Sequence, residues 1–279
     1  MKTRLFGSAD VEVPIIGEGT WQMEADDRAS CIRAIHRALD RDLTHIDTAE
    51  LYGYGEVEKL VGEALADRRD EAFLASKVMP QNASKQGTIE ACEGSLRRLR
   101  TDVLDLYLLH WPGPHPLEET IEAFEELAAQ GKIRAYGVSN FDAQELDEAV
   151  ALAGPGRIAC NQVCYHLGKR NIEHEVIPRC EAHGVAIVAY SPFGSGQFPS
   201  PCSRGGKVLS QIAAARGATA RQIALAFLTR RDSVVAIPKA SRPEHVDDNA
   251  GGALRLSDDE IARIDRAIPL GRSAELPIP

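Results

Sequence analysis

The sequence predicts a closed (β/α)8 barrel with an N-terminal β-hairpin, and three observations carry the prediction. Helix-patterned and strand-patterned segments alternate along most of the chain, which requires parallel strands joined by helical crossovers. No G-x-G-x-x-G follows any strand, so the dinucleotide fingerprint of an open doubly wound sheet is missing. Polar residues stand where apolar strands end, at Asp47, Lys77, His110, Ser139 with Asn140, Gln162, Ser191 and Lys239. In a barrel all such positions converge on one face, where the active sites of that fold lie. The 279 residues match the ~250 a barrel typically needs. With no linker or low-complexity run, residues 1–279 are expected to form one domain.

In chain order, residues 3–13 read as a hairpin able to close the bottom of the barrel. Over 26–42 the apolar positions Ala29, Ile32, Ile35, Ala38 and Leu39 recur at three and four residues, a helical period, and 44–47 then reads as a short strand. The couplet returns along the chain. Helix 56–65 precedes strand 73–77, helix 89–99 precedes 104–110, and helix 117–130 precedes 133–139. Helix 146–152 precedes strand 158–163, helix 176–183 precedes 185–190, and a single long helix over 212–228 precedes 234–237. Gly131 and Gly184 stand where helix C-caps belong.

Apolar residues make up 44% of the chain and charged residues 26%, enough to bury a large core and to exclude wholesale disorder. The net charge of −9 has the wrong sign for a default grip on nucleic acid or an anionic membrane, so any anion must be met by a local basic cluster. The first residues carry no long apolar stretch and no run of about 18 apolar residues follows, so the expected location is the cytoplasm. Six cysteines spread over so long a chain read as reduced thiols. Cys160, Cys164 and His166 form a C-x-x-x-C-x-H run that lacks a second ligand pair, and no metal is expected.

Asp47, Lys77 and His110 end separate strands, and Tyr52 follows Asp47 by five positions. Each has a bland reading alone: loop aromatic for Tyr52, helix N-cap for Asp47, surface charge for Lys77, core histidine for His110. Together at strand ends they form a possible catalytic constellation, because desolvated charges there must pair or be used.

The segments IDTAELYGYGEVEKLVGEAL, ASKV, LDLYLLHWP, GKIRAYGVSNF, CNQV, AYSPFGSG and AIPKASRPEHVDDN, in that order, resemble the aldo-keto reductase superfamily. The match runs from GEGTW to the helix after Asn249. GEGTW, HLGKR and IPKA look most like the small bacterial aldehyde and methylglyoxal reductases. The resemblance implies NADPH-dependent reduction of small aldehydes and 2-oxoaldehydes by hydride transfer, with NADH used at lower affinity. By motif, the family's tetrad falls on Asp47, Tyr52, Lys77 and His110. Tyr52 would donate the proton to the developing alkoxide, Lys77 would make the phenol a better acid, Asp47 would hold Lys77, and His110 would orient the carbonyl.

By the same matching, Ser139, Asn140 and Gln162 would bond the nicotinamide carboxamide and Tyr190 would stack on its ring, although Ser139 and Asn140 also suit a helix cap. Ser191, Phe193 and Ser195 would line the pyrophosphate, Thr20 belongs to the cofactor set, and Lys239, Ser241, Arg242, His245 and Asn249 fall where the adenosine 2′-phosphate and adenine are held. Trp21 and Trp111 would line the substrate pocket, with core packing as their other reading. Ala240 replaces a common serine or threonine and His245 a phosphate-binding arginine, so exclusive NADPH use is not expected; Gln197 stands where some members have a clamping aspartate, which implies faster cofactor release. The short loop PGPHPLEET and the short tail after Ile268 suggest an open mouth suited to small or varied aldehydes.

The expected partner is a small-molecule carbonyl compound, with no nucleic acid and no membrane, and a monomer is compatible with this. Two rivals stay open: a barrel aldolase using Lys77 as a Schiff base, and a non-catalytic module that binds nucleotide as a redox sensor. Tyr165 and Lys169 form a Y-x-x-x-K spacing like that of short-chain dehydrogenases, but Gly168 interrupts the helix that pair needs.

Overall fold

The structure is a computed structural model and describes residues 1–271. Two short strands, β1 (Thr3–Leu5) and β2 (Glu12–Pro14), pair antiparallel as the expected hairpin. Eight parallel strands follow: β3 (Glu18–Gly19), β4 (His45–Asp47), β5 (Phe73–Val78), β6 (Leu104–Leu109), β7 (Ile133–Ser139), β8 (Ile158–Cys164), β9 (Ala186–Tyr190) and β10 (Val234–Ala236). They lie side by side in chain order, and backbone bonds from Gly17 to Ala236 (2.8 Å) and Gly19 to Pro238 (3.0 Å) join the last strand to the first. The sheet is therefore closed.

The crossover helices are α1 (Arg28–Asp40), α2 (Glu56–Ala64), α3 (Lys85–Leu99), α4 (Leu117–Ala129), α5 (Ala143–Ala153), α6 (Val176–His183), α7 (Arg204–Arg216), α8 (Ala220–Leu228), α9 (Pro243–Ala250) and α10 (Asp258–Ala267). Most bury an apolar stripe, as Ala34, Ile35, Ala38 and Leu39 do in α1, whereas α10 buries only Ile264 and packs on α7. Two expectations are corrected. The predicted helix over 212–228 is two helices, because Gly217 turns left-handed (φ 60°) and Thr219 starts α8 with a reciprocal cap to Gln222. Helix α7 also starts earlier than its apolar pattern, since Gly205 and Gly206 are selected by contact: a Cβ on Gly206 would lie 1.9 Å from the Ser200 carbonyl oxygen. Strand β3 escaped the pattern altogether, being two residues long and half glycine.

The hairpin plugs the N-terminal end of the barrel. Phe6 is fully buried and meets His45 and Phe73 edge-on, with ring centroids 5.9 and 5.3 Å away. Phe6 and Val13 join Leu106, Leu108, Val188 and Val235 to fill the barrel interior. Gly7 (φ 54°) closes the turn, and any Cβ there would sit 2.2 Å from the Ala159 carbonyl oxygen. The Arg4 guanidinium donates to the carbonyls of Thr229, Arg231 and Val234, which ties the plug to the last strand.

At the opposite end, the register sets which side chains meet. Asp47 pairs with Ala75, Lys77 with Leu108, and Ser139 with Gln162. The β7–β8 register shifts between Tyr136 and Val138, where a Cβ on Gly137 would lie 2.5 Å from the Cys160 oxygen; glycine allows the close approach that brings Ser139 opposite Gln162.

Candidate active site

A cavity of about 710 Å³ opens at the C-terminal ends of the strands. Asp47, His110, Ser139, Asn140, Gln162, Ser191 and Lys239 all line it, so the polar strand ends do converge. Lys77 lies beneath, fully buried and not in the cavity wall. Its ammonium donates to Asp47 Oδ1 (2.6 Å), the Thr48 carbonyl (2.8 Å) and the Tyr52 hydroxyl (3.2 Å). Three donors are thus matched by three acceptors. Asp47 Oδ2 accepts from Gln162 Nε2 at 2.7 Å, so the carboxylate is held from both sides.

Tyr52 reaches the site through an unusual turn. Gly53 (φ 55°), Tyr54 (φ 51°) and Gly55 (φ 89°) are all left-handed, which sends the chain away at once and leaves the Tyr52 ring pointing back over Lys77. The Lys77 ammonium lies 4.9 Å from the ring centroid, and His110 meets the ring edge-on at 5.9 Å. Burial pushes the Tyr52 phenol above its ordinary pKa, outweighing the pull of the Lys77 ammonium. The ammonium offsets burial without reversing it. Burial drives the Lys77 ammonium down, but the Asp47 carboxylate and the phenol together leave it raised, so it stays charged. Burial, then the Lys77 charge, holds His110 well below the usual imidazole range, so it is neutral. Its Nδ1 is buried without a partner among the described residues.

Beside this cluster, Ser139 donates to the Gln162 carbonyl (2.8 Å), and Asn140 donates to Ser139 Oγ (3.1 Å) and the His110 carbonyl (3.0 Å). Tyr190 donates to Asn140 Oδ1 at 2.9 Å. Asn140 (φ 61°), Ser191 (φ 50°) and Ser195 (φ 47°) adopt left-handed backbone, a strain of the kind that clusters at functional sites. Ser191, Phe193 and Ser195 line the cavity in the loop after β9; Ser195 donates to Ser191 Oγ (3.2 Å), and Phe193 packs edge-on with Phe198 at 6.0 Å. Thr20 lines the wall, its hydroxyl on the Asp47 carbonyl at 2.8 Å.

The basic cluster is brought together only in part. Lys239 lines the cavity and pairs with Asp26. Ser241, Arg242 and His245 follow at the start of α9 outside the cavity wall, where Arg242 donates to His245 Nε2 at 2.6 Å. Asn249 is buried in α9 and does not reach the cavity. Of the two tryptophans, Trp21 is 48% exposed and forms the rim, whereas Trp111 packs tilted against His110 (centroids 4.8 Å apart, planes at 53°) and is absent from the wall. The tail from Arg272 onward lies outside the described residues.

Gln22, Leu51, Cys164, His166 and Lys169 also line the cavity and were not predicted. The last three follow the strand end at Gln162, so position after a strand was their one available signal. The Y-x-x-x-K pair separates: Lys169 faces the cavity through a tight turn closed on His166, while Tyr165 is buried and donates to Glu173 at 2.7 Å. All six cysteines are free, and among the described residues no group of His, Cys, Asp or Glu is arranged to hold a metal.

Residues 15–269 match the aldo/keto reductase family. The chain belongs to that family. Among reductases of the family, the methylglyoxal reductase YeaE of Escherichia coli is 46% identical over 94% of this chain and 93% of its own length. The glyoxal reductase of Bacillus subtilis is 34% identical over 91% and 89%. A crystal structure of an aldo-keto reductase from Klebsiella pneumoniae in complex with NADPH superposes with a TM-score of 0.92 at 43% identity, covering 99% of both chains.

Proposed function

We propose that this protein is an NADPH-dependent reductase of small aldehydes and 2-oxoaldehydes such as methylglyoxal, acting through Tyr52, Lys77, Asp47 and His110 within a single barrel domain. The observation that carries this is the Lys77 ammonium bonded to both Asp47 and the Tyr52 hydroxyl beneath a cavity that the phenol faces. The small-carbonyl reductases among its relatives support the substrate class.

The donor set suits a nicotinamide nucleotide. The Gln162 amide nitrogen must face the Asp47 carboxylate, so its Oε1 is the free end and can accept from a carboxamide. Ser139 and Asn140 keep acceptor capacity beside it, and the half-buried Tyr190 ring forms an adjoining flat wall. When bound, the reduced nicotinamide supplies the hydride.

The chain's own residues then do the following. His110, neutral, directs a ring N–H at the carbonyl oxygen and fixes its orientation; with the proton on the cavity-facing nitrogen, the buried Nδ1 is a bare acceptor. Tyr52 holds its proton through neutral pH and passes it to the oxygen as negative charge develops there. Lys77, kept charged by Asp47, stabilises the phenolate left behind, which a buried tyrosine alone could not sustain. The same pairing argues against the aldolase reading, since a protonated lysine outside the cavity wall is a poor nucleophile.

The test is a panel of small aldehydes and ketones with NADPH and with NADH, followed by loss of reduced-nicotinamide absorbance. Methylglyoxal and activated aromatic aldehydes should turn over faster than simple ketones. Nucleotide binding without turnover of any carbonyl would instead support the redox-sensing module.

A further inference from the structure

The arm of the site that runs from Lys239 towards α9 is rich in donors, and this chain's own carboxyl groups already hold them. Asp26, in the segment between β3 and α1, takes the Lys239 ammonium in an ion pair. Glu18, buried in β3, takes the Ala240 amide at 2.8 Å. The two acids differ in charge. Burial pushes the Glu18 carboxyl well up, towards the neutral acid, whereas the hydrogen bond from Lys239 pulls Asp26 below its usual range. Asp26 is therefore a carboxylate throughout the working pH range. Its side chain is 37% exposed and that of Lys239 33%, so an incoming ligand can reach the pair.

We infer that Asp26 sets the coenzyme preference, as the internal counter-ion that a 2′-phosphate must displace from Lys239. The inference rests on the nicotinamide-nucleotide reading above and concerns a residue that reading does not use. A phosphate and a carboxylate drawn to one ammonium repel each other, so either the Asp26 pair breaks or two like charges remain side by side. A free ribose 2′-hydroxyl meets no such conflict. It donates to a carboxylate, the arrangement by which acidic residues favour NADH in other nucleotide sites, and it leaves Lys239 paired. One side chain thus acts against NADPH and for NADH.

The experiment measures dissociation constants of NADPH and NADH for the full chain, its Asp26→Asn and Asp26→Glu variants, and Asp26→Asn combined with Lys239→Ala. Asp26→Asn should tighten NADPH by about fivefold or more, the scale of one partly exposed ion pair, and should leave NADH unchanged or weaker. Asp26→Glu, which keeps the charge, should stay near the native ratio. In the Lys239→Ala background the gain should shrink, because the competition is for that ammonium. Competition by adenosine 2′,5′-bisphosphate against AMP should show the same selective gain. A role in aiming Lys239 predicts the opposite sign, so weaker NADPH binding in Asp26→Asn would overturn the inference, as would equal changes for both coenzymes or none. If the native chain binds neither nucleotide, the cofactor reading itself falls.

Discussion

In the proposed mechanism Tyr52 is a proton donor that burial keeps loaded. Its phenol lies above the ordinary tyrosine value, so the protonated form persists well past neutrality. Reduction needs that form, and the reverse reaction needs the phenolate. With NADPH and an aldehyde, kcat should therefore stay flat from about pH 6 to 9, while alcohol oxidation with NADP⁺ should rise as pH increases. A reduction rate that falls through neutral pH, in steady-state profiles of both directions, would place the donor elsewhere. Asp47, Tyr52, Lys77 and His110 were legible as single residues because each follows a strand-like or turn-like signal in the sequence. What the letters did not carry was the sign of the balance at Tyr52, since the ammonium lowers and burial raises, and burial is a property of the folded barrel.

At the scale of elements, the hairpin plug covers an unpartnered polar group. His45 on β4 sits fully buried between Phe6 and Phe73, and neither ring nitrogen has a partner among the described residues. Burial holds its pKa down to about 4, with Asp47 and Asp105 raising it and Lys77 lowering it. The folded state thus refuses a proton that the unfolded chain accepts below pH ~6.5. Stability is full above that value and is lost as pH falls towards 4, by up to about 3 kcal/mol in all. Urea unfolding between pH 7 and 4 should show this loss, and His45→Met should flatten it; an unchanged slope in the variant would assign the acid sensitivity to other groups.

The hairpin and seven barrel strands were readable because apolar periodicity is strong over four or more residues. The exceptions have physical causes. Strand β3 is held by barrel closure and not by its own pattern, and α7 begins with glycines that only tertiary contact explains. The wall residues His166 and Lys169 were obscured because a two-residue turn, not a helix or strand, aims them.

Taken as a whole, an acidic chain of net charge −9 gathers cations at the cavity, with Lys239 and Lys169 in its wall and Arg242 beyond. A dinucleotide polyanion would be met locally, against the overall field. No helix among the described residues is long and apolar enough to cross a membrane. On the proposed function, the barrel brings a protonated tyrosine and a neutral histidine to one cavity, above a charged lysine, for carbonyl reduction. The most direct test of this function is the rate of NADPH oxidation with methylglyoxal by the native chain and by Tyr52→Phe, alongside NADPH titration of both. In the variant kcat should fall by ~10²-fold or more while NADPH affinity is nearly unchanged. Near-native turnover by Tyr52→Phe would contradict it, because the proton would then come from another group.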